Sequence, residues 1–289
     1  MLPSPILRML NALVGAEKHA AQNFSRRTGA CSSVSRCPTP TPKAASPNLS
    51  LGPNEIYRKA ILEAAHRTGI DPAAIASVIN AEAVKNRDGV WDPESQAATS
   101  SAKGLTQFLK GTWLEMARTP GTLLNETCRK NGLLDDRNQV IEGRAEDVLD
   151  LRSDPRLSIV TGAEYAKSNL DYLDSKNLIP TDATDDDKAR LAYIAHHEGP
   201  GGARQFLQNS LSEERSQKLL TTQIGQKKAD RLVEQEGTAK AAYQRWLNGY
   251  TDKKIQPDRF REDSRASASP VSTAPSSAVP VPSIRPLFP

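Results

Sequence analysis

The chain has 289 residues, of which 37% are hydrophobic and 5% aromatic, so it can form one ordinary domain and still leave material outside the core. Its formal net charge of +4 comes from its ends, because residues 1–50 carry six Lys or Arg against one Glu whereas the middle of the chain is mildly acidic. A mildly acidic domain argues against a nucleic-acid groove. No stretch is long and apolar enough to span a bilayer. The three cysteines match neither a disulfide framework nor a zinc pattern.

Both ends of the chain have the composition of linkers. Residues 1–50 include the run SVSRCPTPTPKAASPNLS, and residues 253–289 include EDSRASASPVSTAPSSAVPVPSIRPLFP. Such Pro- and Ser-rich sequences without periodic apolar residues are typical of disordered segments. We therefore predict one folded domain over residues 51–252, between a disordered basic arm or export segment and a disordered tail.

Apolar residues in the middle of the chain recur at helical spacing, while strand-like alternation is scarce. The segment NEIYRKAILEAAHRTG indicates a helix capped by Asn54 and closed by Gly69. The next helix begins in DPAAIASVINAEAVKN, where Asp71 can cap the first turn and Pro72 suits the first helical position. Later segments such as DPRLSIVTGAEYAKSNLDYLDSK continue the pattern. The predicted fold class is therefore mainly α.

One position in the second predicted helix breaks the apolar pattern. Glu82 lies four residues after Val78 and seven after Ile75, so its carboxylate shares the apolar face. A buried carboxylate without donors raises its pKa until it holds a proton near neutral pH, and a carboxylic acid of that kind can act as a general acid. The alternative is a glutamate at the edge of the apolar face that reaches solvent or pairs with Lys85 or Arg87.

The residues after this glutamate form a longer pattern. A polar loop, NRDGVWDPESQAATSSA, precedes KGLTQFLKGTW, and LAYIAHHEGPGGARQFL comes later. A helix ending in Glu, a loop ending in Ser-Ala, a Gly-Leu-x-Gln-Phe segment and a later Gly-Pro-Gly turn together resemble the soluble lytic transglycosylase and goose-type lysozyme-like families. The resemblance covers Asp71 to about Leu207. Its matching positions are Glu82, Ser101, Ala102, Gly104, Leu105, Gln107, Phe108, Thr112, Gly199, Pro200 and Gly201.

The resemblance implies a lysozyme-like helical domain that cleaves peptidoglycan, with Glu82 as the catalytic acid. It also implies that Gly104 lets the backbone approach the glycan. Leu105 and Gln107 would line the substrate site, although Gln107 could equally satisfy a local backbone group. We expect the loop residue Trp91 to stack on a sugar ring.

Two positions depart from the family pattern. His196 stands where the family carries Tyr, and Ala83 replaces the Ser that typically follows the acid. In the family, this tyrosine is thought to hydrogen-bond near the catalytic glutamate and the substrate. His196 could do so through a ring nitrogen, or Tyr193 could enter the cleft from one turn earlier. The missing serine leaves its positioning role to the loop or marks a divergent branch.

The number of carboxylates at the site decides the reaction. Hydrolysis of the β-1,4 bond typically needs a second carboxylate as nucleophile or base. A lytic transglycosylase can instead reuse its one Glu as base toward the sugar's 6-hydroxyl and form 1,6-anhydroMurNAc ends. Asp92 and Glu198 are the candidates for a second group, but Asp92 before Pro93 is also a good turn former. Without a clear partner for Glu82, we expect a lytic transglycosylase that needs no cofactor.

Three other interpretations use the same residues. A muramidase (lysozyme) of the same fold would hydrolyse the bond, and a non-catalytic glycan-binding module of a secretion or phage particle would bind without cleaving. A metal site at His196, His197 and Glu198 is disfavoured, because adjacent helical residues diverge by about 100° and do not converge on one ion.

The expected partner is the peptidoglycan glycan strand, with secretion-apparatus or phage-particle proteins as further candidates and no nucleic acid. We expect an exported protein that acts in the periplasm or at the cell wall. The export route stays open, because Arg8 interrupts the N-terminal apolar patch and no ordinary signal peptide results.

Overall fold

A computed structural model of the chain describes residues 49–98 and 100–261. The described residues form ten α-helices joined by turns and a few isolated β-bridges, without a β-sheet. The mainly α fold class predicted from the sequence is confirmed. The helices are α1 (Arg58–Thr68), α2 (Pro72–Glu82), α3 (Lys110–Arg118), α4 (Leu123–Lys130), α5 (Ala145–Asp150), α6 (Pro155–Asp174), α7 (Asp185–Leu207), α8 (Glu213–Ile224), α9 (Gln226–Glu236) and α10 (Ala239–Lys254).

Local chemistry explains where several helices begin and end. Asp154 accepts a hydrogen bond from the Leu157 amide at the start of α6, and Thr184 forms a capping box with Asp187 at the start of α7. α1 ends at Thr68 and is followed by Gly69, whose φ of 72° is the left-handed conformation that glycine adopts without strain. These caps fix the starts of α6 and α7, which are two of the helices against which α2 packs.

Two side chains that the sequence predicts as helix caps bind other groups instead. Asp71 makes no capping hydrogen bond at the start of α2, and its carboxylate instead accepts a hydrogen bond from Arg261 at 2.7 Å. Asn54 lies in the 3₁₀ turn before α1, where its side chain binds the backbone of Gly89 and Trp91. Both predicted caps are therefore wrong, because groups distant in sequence occupy these side chains.

Three apolar clusters fill the helical body. The first surrounds α1, α2 and the start of α6 and includes the fully buried Trp113, whose indole nitrogen donates to the Val148 carbonyl oxygen at 2.8 Å. The second lies among α7, α8, α9 and α10. A smaller third cluster of Ala81, Tyr193 and Ile255 joins the end of α2 to α7 and to the segment after α10. The C-terminal end of α2 is thus enclosed by elements distant in sequence.

The folded unit extends beyond the domain predicted over residues 51–252. Leu49 and Phe260 are both buried. Arg261 donates hydrogen bonds to carboxylates at the starts of α2 and α7. Residues 253–261 therefore belong to the fold and not to a tail, and the predicted boundary at residue 252 is wrong.

The predicted arm or export segment and most of the predicted tail fall on residues 1–48 and 262–289, which lie outside the described residues. What the sequence indicates for them stays a prediction. Of the helices that the structure describes, none combines the length and the apolar composition that a membrane crossing requires.

Candidate active site

Glu82 is the last residue of α2, and its side chain lies in the interior. The residue is 8% exposed, and its Oε1 atom is buried without a hydrogen-bond partner among the described residues. Burial is the largest influence on the pKa of Glu82, which rises from 4.5 to about 7. The partial negative charge of a helix C-terminus acts in the same direction. At neutral pH a large fraction of the molecules therefore carry a proton on Glu82.

Polar and charged groups around Glu82 oppose the effect of burial. The Tyr193 hydroxyl is the strongest of them, and His197, Lys254 and Lys85 follow; all four lower the Glu82 pKa. They come from α7, from the end of α10 and from the loop after α2. Because burial and these groups act in opposite directions, both protonation states of the carboxyl group are accessible near neutral pH.

Tyr193, on α7, carries the hydroxyl group that lowers the pKa of Glu82 most strongly. Its side chain is fully buried, and its hydroxyl makes no hydrogen bond of regular distance and angle. Burial, and then the charge of Glu82, raise the pKa of Tyr193 well above its ordinary value, so the hydroxyl keeps its proton. The ring stacks on Tyr250 of α10 with centroids 6.5 Å apart, which helps to orient the hydroxyl.

His196 contacts other aromatic residues. Its half-buried ring packs edge-on against Phe108 and Tyr165, with centroids 6.3 and 6.0 Å apart. Burial is the main cause that lowers the pKa of His196 to about 4, so the ring is neutral at pH 7. The ring also lines an apolar pocket between α2, α6 and α7. Of the two alternatives that the sequence left open, Tyr193 is the one that interacts with Glu82.

Glu198, one of the two predicted second carboxylates, belongs to a buried polar cluster. Its Oε1 atom accepts a hydrogen bond from the Tyr243 hydroxyl and lies 3.1 Å from Nδ1 of His197. Its Oε2 atom is buried and has no hydrogen-bond partner among the described residues. Because His197 also influences the pKa of Glu82, one imidazole links Glu198 to the candidate acid.

Asp92, the other predicted second carboxylate, is exposed on the loop after α2. Its Oδ1 atom accepts a hydrogen bond from the Glu94 amide at 2.9 Å, as in an Asx turn. The turn role that the sequence offered for Asp92 is therefore present in the structure.

Trp91 belongs to the core, which corrects the prediction that it stacks on a sugar ring. The residue is 1% exposed, its ring stacks on Tyr57 at 5.8 Å, and its indole nitrogen donates to Oδ1 of Asn80 at 3.1 Å. The loop is drawn inward because the Trp91 amide donates to Asn54 and the Trp91 carbonyl oxygen accepts from the Tyr57 hydroxyl. A polar loop sequence gave no sign of these long-range contacts.

The Gly-Leu-x-Gln segment makes internal contacts that account for its residue types. A Cβ atom on Gly104 would lie 2.3 Å from the Arg152 carbonyl oxygen, and the φ of Gly104 is 86°. Leu105 is fully buried and so is closed to a glycan strand, contrary to the prediction. The Gln107 side-chain amide donates to the carbonyl oxygens of Ser95 at 3.0 Å and Gly104 at 2.8 Å. The backbone role that the sequence allowed for Gln107 is therefore present.

An aromatic row on α10 was missed in the sequence analysis. Tyr243, Trp246 and Tyr250 stack in succession, with centroids 5.8 and 5.3 Å apart. His197 lies 6.0 Å from Trp246 and 6.4 Å from Tyr250. The spacings of three and four residues in YQRWLNGY signal one helical face. They could not show that this face packs beside the helix that carries Tyr193.

A comparison with models of known protein families finds no match for this chain. Across residues 49–98 and 100–261, no group of three or more His, Cys, Asp or Glu side chains is arranged to hold a metal ion. At the site itself, a buried carboxyl group with a raised pKa lies beside a tyrosine hydroxyl that keeps its proton.

Proposed function

We propose that this chain is a peptidoglycan lytic transglycosylase, which cleaves the MurNAc–GlcNAc β-1,4 bond and leaves 1,6-anhydroMurNAc ends. The environment of Glu82 carries the proposal, because a buried carboxyl group with a pKa of about 7 suits proton transfer at neutral pH. The mainly helical fold and the sequence resemblance to lytic transglycosylases and goose-type lysozymes support the same reaction class.

The reaction needs one group that first gives a proton and then takes one back. Glu82 gives its proton to the glycosidic oxygen while the bond from that oxygen to C1 of MurNAc breaks, and GlcNAc leaves as the alcohol. The Glu82 carboxylate then takes the proton of the 6-hydroxyl of the same MurNAc, while that oxygen bonds to C1. The products contain no added water, and Glu82 ends the cycle protonated.

The groups around Glu82 support its carboxylate between the two steps. Lys85 and Lys254 lower the Glu82 pKa through their positive charges, so they stabilise the ionised form. The Tyr193 hydroxyl acts in the same direction, since it keeps its own proton and can turn it toward the carboxylate. These three side chains would limit the energetic cost of ionising a buried acid.

The candidate second carboxylates favour a lyase over a hydrolase. Asp92 is exposed and accepts a hydrogen bond from the Glu94 amide. One carboxylate oxygen of Glu198 accepts a hydrogen bond from the Tyr243 hydroxyl. A lytic transglycosylase requires neither. The second candidate function is a muramidase, and it is favoured by the buried, unpartnered Oε2 atom of Glu198, which would then serve as nucleophile or as base for water.

The experiment that tests the proposal is mass spectrometry of the soluble products released from peptidoglycan by the full chain. The samples are the wild type, Glu82→Gln and the control Glu94→Gln, which removes an exposed charge from the neighbouring loop. We expect anhydro-muropeptides from the wild type and the control and none from Glu82→Gln. Reducing-end muropeptides from the wild type would establish the muramidase instead. A wild type that binds glycan without releasing product would favour a non-catalytic glycan-binding module.

The proposed substrate also implies where the protein acts. We propose that the chain is exported and works in the periplasm or at the cell wall on peptidoglycan strands, with secretion-apparatus or phage-particle proteins as further partners. Fractionation of cells that produce the full chain tests this, and retention of all the protein in the cytoplasm would contradict it.

A further inference from the structure

An open pocket of about 210 Å³ lies beside the C-terminal end of α2. Its walls come from the last turns of α2, from the loop after α2 and from the chain at and beyond the end of α10. The pocket has room for an ionised group and the atoms that carry it. The polar side chains that line it include Lys85, Lys253, Lys254 and Arg259, together with Asn80 and Gln256.

The pocket is strongly cationic. Four of its lining residues carry a positive charge, and no lining residue is acidic. Within the described part of the chain, none of the four forms an ion pair; the Lys85 ammonium donates to the carbonyl oxygens of Asn80 and Ala83, and the Lys254 ammonium lies 5.7 Å from the centroid of the Tyr250 ring. An anion is the ligand that such a site favours.

Two of the cations repel each other electrostatically. Burial, and then the charge of Lys254, lower the pKa of Lys85, so both ammonium groups lie close enough for their charges to oppose one another. Bringing cations together beside a partly buried surface is unfavourable without a counter-charge. A bound anion would remove this repulsion and use the donors of both side chains.

Residues on both sides of the candidate acid in the chain line the pocket. Ala81 and Lys85, which both line the pocket, flank Glu82 in the chain, and the charges of Lys85 and Lys254 reach the Glu82 carboxyl group. A ligand in the pocket would therefore lie close to the candidate acid, where a charged part of its substrate could reach. In peptidoglycan, the anionic groups nearest the cleaved bond belong to the muramyl residue, which carries a lactyl group and, attached to it, a peptide stem with free carboxylates.

We propose that Lys85, Lys253, Lys254 and Arg259 form a subsite for a carboxylate of the muramyl residue, supplied by its lactyl group or by its peptide stem. The inference rests on the proposed function, because it assigns the substrate of Glu82. It gives the enzyme a means to distinguish muramyl glycans from neutral glycans, since a chain of GlcNAc alone offers no carboxylate to the pocket. It also fixes the orientation of the glycan strand, because the carboxylate must point toward the end of α10.

The test measures binding to the full chain by calorimetry in a Glu82→Gln background, which prevents turnover. The probes are GlcNAc–MurNAc with its peptide stem, GlcNAc–MurNAc with a free lactyl carboxylate, and chitotetraose, which carries no carboxylate. The pocket variant is Lys253→Gln/Lys254→Gln. The matched control is Lys227→Gln/Lys228→Gln, an exposed lysine pair on α9.

We expect the pocket variant to bind at least one muramyl probe about tenfold more weakly or worse, as charge-assisted contacts are lost, and to bind chitotetraose as before. The control variant should bind all three probes as the parent does. Weakening that is limited to the probe with the stem identifies the stem as the source of the carboxylate, and weakening that is limited to the probe without a stem identifies the free lactyl carboxylate. Weakening with both muramyl probes shows that the pocket accepts either carboxylate, because the stem is joined as an amide through the lactyl carboxyl group. Unchanged binding of both muramyl probes, or an equal loss for chitotetraose, would overturn the proposal.

Product analysis separates a failure of this proposal from a failure of the proposed function. If the wild type releases no products but the pocket variant still loses muramyl binding selectively, the cleavage reaction is refuted and the carboxylate subsite stands. If anhydro-muropeptides form and the pocket variant binds every probe normally, the subsite is refuted and the reaction stands.

Discussion

The buried proton of Glu82 makes the stability of the fold depend on pH. In the unfolded chain this carboxyl group has its ordinary pKa of 4.5, whereas in the fold its pKa is about 7. The fold thus binds the proton more tightly, so the free energy of unfolding falls as the pH rises from about 4.5 to about 7 and stays low above that. At about 1.36 kcal/mol for each pH unit, the loss amounts to about 3 kcal/mol.

The variant Glu82→Gln should remove this dependence, because glutamine has nearly the same shape and cannot ionise. We expect its free energy of unfolding to exceed that of the wild type by about 3 kcal/mol at about pH 8 and to approach it near about pH 4.5. Urea denaturation followed by circular dichroism across this range measures the difference. The control is Glu142→Gln, at an exposed position, which should follow the wild type. A difference between Glu82→Gln and the wild type that stays constant with pH would show that Glu82 does not take up a proton on folding.

Four further predictions concern the reaction and the fold. The rate of wall cleavage should fall about tenfold for each pH unit above about 7, as the protonated fraction of Glu82 declines; a turbidity assay with a flat rate to about pH 9 would contradict this. Gly104→Ala should lower the free energy of unfolding by about 2–4 kcal/mol, because the new Cβ atom would meet a backbone carbonyl oxygen. Gly249→Ala, which lies inside α10 and has open space around its Cβ position, should instead raise the free energy of unfolding by about 0.5–1 kcal/mol in urea denaturation. Trp91→Ala should cost about 3–5 kcal/mol of stability as a core truncation, and glycan affinity measured by calorimetry should stay unchanged in the folded protein. Arg261→Ala should cost about 1–2 kcal/mol through its lost contacts with carboxylates, and the cost should shrink in about 1 M salt; equal costs at low and high salt would argue against an ionic role.

The burial of Glu82 could be predicted from the sequence, because it depends on local periodicity. The apolar residues Ile75 and Val78 define one face of α2, and the glutamate continues that face at the next turn. The start of α2 at Pro72 and the end of α1 just before Gly69 follow from backbone preferences that act within one turn. The mainly helical class follows from the same signals.

The sequence could not show which distant elements surround this carboxyl group. Trp91 lies in a polar loop and becomes core only because Tyr57 and Asn54 bind its backbone. Lys254 falls outside the predicted domain, yet its charge reaches Glu82. Arg261 looks like part of a tail until it meets carboxylates on two helices. Each of these contacts joins residues far apart in the chain, where periodicity and composition carry no information.

The most direct test of the account is to digest peptidoglycan with the full wild-type chain in water enriched in oxygen-18 and to analyse the new MurNAc ends by mass spectrometry. If Glu82 acts alone as acid and then as base, the attacking oxygen is the sugar's own 6-hydroxyl, and the new ends are anhydro sugars without the heavy isotope. Reducing MurNAc ends that carry oxygen-18 would show that water is the nucleophile, which would contradict the single-glutamate mechanism.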